Sequence, residues 1–526
     1  MAVTLGSTGI TFPDATTQTT AASAGGARSF TTSGTVSAAG LPVALNSDGT
    51  VSTVSNVALA TGSGSIAGYN VNNAYSTTQT IVFNSATNTY VASFLQVTGT
   101  TMYVVAGTLS GSTITWGTPL SAGNFDNSYL AVDEASGNYL FVYIESNVVY
   151  AKVLTVSGTT CTLQARVTVN STLNSQRIIG TYDNVSGKHV IGVQDSGTAY
   201  AMFAFVGTVS GTTSTWVDQT YLFGTETTLS GTSGYNTYGV TTDRLGTIVF
   251  WAVGNSAFVS SANVMVQVGT ISGTALTLGT TAQMTYTSTV GAAVMAYNPP
   301  YACWVMMIIA STNIFSSLLT VNATTRSWTG VYGSSGSGVW TSAVPGYNSA
   351  ASQGIALGYD ATAGKLVFLF RYSSGQPLYA VPGQIVQNSV TGTRALTFEG
   401  LSSWSNVFSG GSVTVGTTSI VYSATAGKII YIVGRGSPGL GWVVQTTAYS
   451  TNTKFIGVST ASASSGASLS CTIIGGVNTG VTGLTTGSNY YASSTGTLTT
   501  TPTSAILVGR ALSATSLLVT QGNLSS

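Results

Sequence analysis

Few residues in this chain could take part in acid–base, nucleophilic or metal chemistry. His189, in GKHVIG, is the only histidine among 526 residues. A single imidazole makes neither a triad nor a zinc site without partners, so its expected role is packing or a hydrogen bond at a strand edge. Cys161, Cys303 and Cys471 lack metal-ligand spacing and read as buried free thiols. Asp133 and Glu134 are the one adjacent acidic pair, but successive residues of a strand or turn usually point apart. A paired-carboxylate glycosidase needs two groups about 5–10 Å apart in one cleft. Glu145, Asp195, Asp218, Glu226 and Glu399 are scattered, which leaves only a pair drawn from different repeats. Asp133, Asp183, Asp243 and Asp360 occupy equivalent turn positions, where an Asx bond to the backbone two residues on is the ordinary use. The inventory implies no catalytic residue, no metal and no cofactor, so the expectation is a chain that is not an enzyme.

Charge is as scarce as chemistry. Only 5% of residues are charged, 14 Lys plus Arg stand against 13 Asp plus Glu, and the net charge is +1. A globular domain ordinarily carries about a quarter charged residues. A nucleic-acid partner needs a basic field, and none is present. Cys303–Ala310, the longest candidate for a membrane span, is far shorter than the roughly 20 residues required. The start, MAVTLGSTGI, lacks the basic and apolar regions of a signal peptide. With 26 Tyr, 17 Phe and 8 Trp, material for a folded core is plentiful.

What must position any site is a repeat. GIALGYDATAGKLVFLFR at 354–371 is an apolar strand, a turn opened by Asp360, and a second apolar strand. Related hairpins open their turns at Asn84, Asp133, Asp183, Asp243, Asn298 and Ser423. Steps of 49, 50, 60, 55, 62 and 63 residues match a blade-type period. Between copies lies a second hairpin with a Ser-Gly tip, as in VAGTLSGSTITWG at 105–117 and FVGTVSGTTSTW at 205–216. Glycine there supplies the positive φ of a tight turn. KLVFLF, YLFVYI and KIIYIV are continuous apolar runs that need cover on both faces. The Ser-Gly strands alternate Thr with apolar residues, as half-exposed edges do. The pattern predicts an all-β fold: a seven-bladed β-propeller of four-stranded antiparallel blades. The seventh copy lacks its last hairpin, and Asn56–Ile66 is the segment expected to close the ring.

The later repeats are longer, chiefly in the connections Gly224–Asn236, Val331–Asn348 and Glu399–Val415. Tyr235, Trp340, Tyr347 and Trp404 sit in these connections, all of which would emerge on one face of the propeller. Such aromatics either stack on a sugar ring or pin their own loops.

The ends of the chain differ in kind. Residues 1–32 read as an extended arm with one small cluster, Ile10, Thr11, Phe12, Pro13 and Asp14. Residues 33–55 and 454–526 share a style, and residues 56–453 form the propeller between them. GITFPDATTQTTAA at 9–22 resembles a short N-terminal peptide of tail-fibre proteins of tailed bacteriophages, with Ala15 where Gly is usual. VALNSDGTV, FIGV, GLTTGSNYY and VGRALSATSLLV resemble two halves of a small β-module found in phage structural proteins, into which the propeller would be inserted. SGSTITW and SGTTSTW are similar only to the tail of the Asp-box of propeller sialidases, without its Asp, and no motif singles out three of the nine arginines. The resemblance implies a fibre-type virion protein, exposed on the particle and anchored to other virion proteins through the arm. It implies a propeller that displays a face to a host-surface glycan and, by analogy with fibres, a trimeric homo-oligomer. The alternative it leaves open is a purely structural head-decoration or tail-collar component.

Overall fold

The structure is a computed structural model. It describes residues 4–6, 9–11, 17–18, 27–45, 48–54, 60–61, 64–65, 80–95, 101–110, 113–125, 127–197, 201–223, 238–253, 262–286, 290–310, 313–332, 356–361, 364–370, 379–387, 394–398, 405–406, 419–426, 428–433, 443–448, 455–492, 497–500 and 507–520. Two compact units are present. One consists of Met1–Ala58, Val386–Arg394 and Tyr449–Ser526, the other of Leu59–Ile385 and Ala395–Ala448.

The larger unit contains seven antiparallel sheets among the described residues. Their first strands are Thr80–Asn84, Ser128–Val132, Ser175–Asp183, Tyr238–Thr242, Val290–Asn298, Ala356–Asp360 and Ser419–Ser423, and the sheets are numbered 1 to 7 in that order. Each first strand lies beside the first strand of the next sheet, and that of sheet 7 lies beside that of sheet 1. A closed cycle of small sheets packed face to face is a β-propeller. The outer strand of sheet 7 comes from the other end of the ring: Val443–Ala448 pairs with Ala60–Thr61 and Gly64–Ser65.

Burial follows the apolar runs. The second strands Thr89–Leu95, Thr247–Val253 and Lys365–Phe370 are buried at every residue, because each is covered by a neighbouring sheet on both faces. Between sheets 2 and 3, for example, Leu140, Val142, Ile191, Val193 and Phe203 form one apolar layer. The Ser-Gly hairpins turn at Gly158, Gly211 and Gly273, all with φ near +60°. Their tryptophans are packing devices. Trp216 stands directly opposite Gly207 across the strand pair. A Cβ on Gly207 would meet the Trp216 ring at 2.6 Å, and Trp116 covers Gly107 in the same way at 2.7 Å.

The smaller unit has two five-stranded sheets, the first drawn from both chain ends and the second from residues 477–519 alone. Their orders are Ala27–Thr31, Ser468–Ile473, Phe455–Ser459, Pro42–Leu45, Val51–Thr53 and Val477–Asn478, Ser516–Val519, Leu507–Ser513, Asn489–Ala492, Leu498–Thr499. Ala44, Phe455, Val458, Tyr490, Val508 and Leu517 belong to one core drawn from both. Asn478 is fully buried at their junction. It donates to the Val458 and Ser459 carbonyls and to Thr472 Oγ1, and accepts from Gly480 N–H. Residues Thr4–Gly6, Gly9–Thr11 and Thr17–Gln18 form a separate three-stranded sheet.

Candidate functional site

The residues singled out by the sequence divide into three groups. Ile10 and Thr11 lie in the middle strand of the small N-terminal sheet, while Phe12, Pro13 and Asp14 fall outside the described residues. Tyr235, Trp340, Tyr347 and Trp404 also fall outside them, with most of the three long connections. The turn-opening residues are all described.

These turn residues do more than shape their own turns. The Asx bonds are present: Asn84 Oδ1 accepts from Ala86 N–H, Asp133 Oδ1 from Ser136 N–H, Asp183 Oδ2 from Ser186 N–H and Asp243 Oδ1 from Leu245 N–H. In Asn84 and Asp133 the remaining polar atom then crosses to the next sheet, and the hydroxyl of Ser423 does so too. Asp133 Oδ2 meets His189 Nε2 of sheet 3 at 3.2 Å, and Ser423 Oγ accepts from Tyr90 OH of sheet 1 at 2.7 Å. Asn84 Nδ2 donates to the Gly137 carbonyl of sheet 2. Tyr90 and His189 hold the same register position, opposite the residue that precedes the turn: Phe83 pairs with Tyr90 and Tyr182 with His189. Tyr139 is their equivalent in sheet 2, Ile248 in sheet 4 and Leu366 in sheet 6. In the sheets that precede Ile248 and Leu366, Asp183 Oδ1 and Asn298 Oδ1 are buried without a hydrogen bond among the described residues.

His189 is therefore an inter-sheet fastener with no exposure at all. Among the described residues its Nδ1 has no hydrogen-bond partner, so the tautomer that suits the pair carries its proton on Nε2 and donates it to Asp133. Burial lowers the His189 pKa despite the opposing pull of Asp133. Burial also acts to raise the Asp133 pKa, but the His189 bond and the Ser136 bonds outweigh it and the net shift is downward. Asp133 and Glu134 do point apart: Glu134 faces outward to Asn184 and to Arg244, 3.5 Å away. The thiols of Cys161 and Cys471 are pushed up to about 11 by burial, which makes them poor nucleophiles.

A cleft of about 500 Å³ opens at the opposite ends of the same strands. Its first wall is the link from sheet 1 to sheet 2, with Asn124, Phe125 and Asn127. The second is the hairpin loop after Tyr139–Glu145 in sheet 2. Ser146 and Asn147 there have φ of 50° and 66°, the left-handed pair of a two-residue loop, which Asn tolerates well. The third wall is the start of the inner strand of sheet 3, with Ser175, Gln176 and Arg177. Backbone bonds tie the walls together: Ile144 N–H donates to the Asn127 carbonyl and Ser175 N–H to the Asn147 carbonyl.

Polar groups dominate this cleft. Four side-chain amides, those of Asn124, Asn127, Asn147 and Gln176, offer donors and acceptors together. Glu145 is the one carboxylate among the described lining residues. It is ion-paired to Arg166 at 2.5 Å, whose guanidinium lies 4.4 Å over the Tyr150 ring. Arg177 packs over Tyr238 at 6.0 Å. Ser175 Oγ is buried and makes no hydrogen bond among the described residues. Phe125 is buried against Tyr143, with ring centroids 4.1 Å apart, so it stiffens the wall and does not present a face. Sequence reasoning missed this site, since ordinary polar residues at strand ends carry no pattern.

No protein-family model matches the chain, and no curated protein does either. Solved structures share its architecture at low identity. A protein from Lactobacillus plantarum is 13% identical with TM-score 0.39, over 64% of this chain and 84% of its own. A candidate 6-phosphogluconolactonase from Bacteroides uniformis is 12% identical with TM-score 0.37, over 60% and 83%. An α-L-arabinanase from Penicillium chrysogenum, complexed with arabinobiose, is 9% identical with TM-score 0.37, over 74% and 98%. Enzymes are thus among the structures this chain is similar to, and that corrects the expectation of a chain that is not an enzyme. A thin inventory of reactive side chains does not exclude catalysis on this architecture, and likeness at this level concerns the fold alone.

Proposed function

We propose that the propeller binds a neutral, hydroxyl-rich saccharide in the cleft between sheets 2 and 3, and that the chain is a fibre-type virion protein presenting that cleft to a host surface. The observation that carries the binding reading is the composition of the cleft. Four amides and a carboxylate oriented by an arginine can exchange hydrogen bonds with vicinal hydroxyls, each of which donates and accepts. One acidic and one basic lining residue offer no net charge to a polyanion, and a net charge of +1 supplies no long-range steering. The virion reading is supported by the GITFPDATTQTTAA peptide and by the paired end segments that resemble a phage β-module.

The test is calorimetric titration of the full chain with dextran and with a neutral bacterial polysaccharide, alongside Gln176→Ala and Arg177→Ala. Saturable binding weakened tenfold or more by either substitution, about 1.4 kcal/mol, is the expected result. Binding that neither substitution changes would place the ligand elsewhere. No binding to any polysaccharide, with the protein still incorporated in particles, would leave a structural virion component.

A further inference from the structure

The cleft and the Asp133–His189 fastener occupy opposite ends of one seam. The inner strand of sheet 2 runs from Ser128 beside the cleft to Val132, just before Asp133, and that of sheet 3 from Ser175 in the cleft to Asp183. These two strands lie side by side. Close packing couples them: Tyr129 of sheet 2 lies against Gly180 of sheet 3, where a Cβ would meet its ring at 2.7 Å. With so little slack, separation at one end of the seam becomes a tilt at the other.

We infer that proton uptake by the buried Asp133–His189 pair loosens the seam between sheets 2 and 3 and so deforms the cleft, making this face of the propeller acid-sensitive. The geometry carries the argument. Nδ1 of His189 has no acceptor among the described residues and the ring has no exposure, so a second proton creates a buried N–H that none of them satisfies. Protonating Asp133 instead neutralises the carboxylate that accepts the Nε2–H bond and weakens that bond. Either event costs the buried pair stability. The groups facing His189 are Asp133 from sheet 2 and Tyr182 from its own hairpin, whose ring centroid is 4.8 Å away. Around Tyr182 stand Glu134 and Asp183, Glu134 is held by Arg244, and Lys188 precedes His189 in the chain. None of these is hydrogen-bonded to Nδ1.

The sign is consistent for both partners. A histidine whose folded pKa lies below its ordinary 6.5 contributes stability at neutral pH that is lost as pH falls from 6.5 towards the folded value. Asp133, held below 3.8, adds a second loss at still lower pH. The neighbouring sheets suggest the control. The chain itself places Tyr at the same register position in Tyr90 and Tyr139, and the Tyr90 phenol donates to Ser423 there without titrating in this range.

The test compares the full chain with His189→Tyr between pH 7.5 and 5. Amide exchange protection, corrected for the intrinsic pH effect, is followed in residues 127–132 and 175–183. Because His189 is the only histidine, its imidazole proton signal reports the titration without assignment. In the parent chain, protection of both segments is expected to fall about tenfold or more as that signal titrates. In His189→Tyr it stays within about twofold. Equal pH responses in the two proteins would overturn the inference, as would a parent chain whose protection does not change while the imidazole titrates. Should His189→Tyr not fold, His189→Gln, which keeps an amide donor, takes its place with the same expectation. The inference concerns the site of the proposed function, but this readout needs no ligand, so it can fail or succeed whatever the polysaccharide titrations show.

Discussion

Gly207 and Trp216 give a packing prediction whose size follows from the geometry. A Cβ on Gly207 would lie 2.6, 2.7 and 2.8 Å from three atoms of the Trp216 ring. All three distances are inside contact range, so the indole must leave its place over the strand. Overpacking of this kind costs about 1–3 kcal/mol, and replacing a strand glycine returns roughly 0.5–1 kcal/mol through the unfolded chain. The net expectation for Gly207→Ala is about 1–2 kcal/mol of destabilisation. For a unit of about 380 residues, at roughly 2.1 cal/mol/K per residue, that is a fall in Tm of about 1–3 °C. The decisive measurement is a double-mutant cycle with Trp216→Ala, followed by thermal and denaturant unfolding. With the indole gone the methyl group fits, so Gly207→Ala should become neutral or slightly stabilising, giving a coupling of about 1–2 kcal/mol. If Gly207→Ala destabilises both backgrounds equally, the Trp–Gly contact does not set the cost. The same result would also undo the reading of the Ser-Gly hairpin tryptophans as packing devices.

Two further predictions concern buried polar atoms. Ile248→His should offer the orphaned Asp183 Oδ1 the donor that His189 gives Asp133. The swap nearly conserves volume and should stabilise the propeller by about 1 kcal/mol at pH 7.5; a lower denaturation midpoint would refute the register argument. Asn478→Leu removes four hydrogen bonds at one buried residue and should cost about 3 kcal/mol or more. The loss should appear as faster amide exchange in residues 455–492, and unchanged exchange there would show that the network contributes little.

The architecture was legible because its signal is local. A hairpin such as Ala356–Asp360 with Lys365–Phe370 is written in consecutive residues, and the seven copies repeat in register. The closing segment could also be inferred, since a seventh copy without its outer strand needs one from elsewhere. What could not be read are features assembled from distant residues. Asp133 and His189 are 56 positions apart, and Tyr90 and Ser423 are 333 apart. Neither pair carries a motif, because an Asx turn explains each Asp or Ser on its own. The cleft is illegible for a related reason. Glu145 ends a strand, Asn147 sits in the loop after it, and Ser175 and Arg177 lie at the start of the first strand of sheet 3, and only the packing of sheet 3 beside sheet 2 brings them together. The tryptophans of SGSTITW and SGTTSTW invited comparison with an Asp-box, yet their meaning lies in Gly107 and Gly207 across the pair.

The closing strand also sets the order in which the molecule can be completed. Ala60–Thr61 and Gly64–Ser65 leave the ribosome before any residue of sheets 1 to 6, yet their partner, Val443–Ala448, is among the last parts of the propeller to be made. Sheets 1 to 6 can form as their hairpins emerge, each from neighbouring residues. The ring cannot shut until nearly the whole propeller has been synthesised, and the final step must close a chain segment of almost 400 residues against its loop entropy. Until then the early segment has no partner strand, and the second strand of sheet 7 lacks cover on one face. The slow, non-local step of folding is thereby placed at a single seam, between sheets 7 and 1. The Tyr90–Ser423 bond then secures that seam between the second strand of sheet 1 and the first strand of sheet 7, away from the outer edge at which the last strand docks.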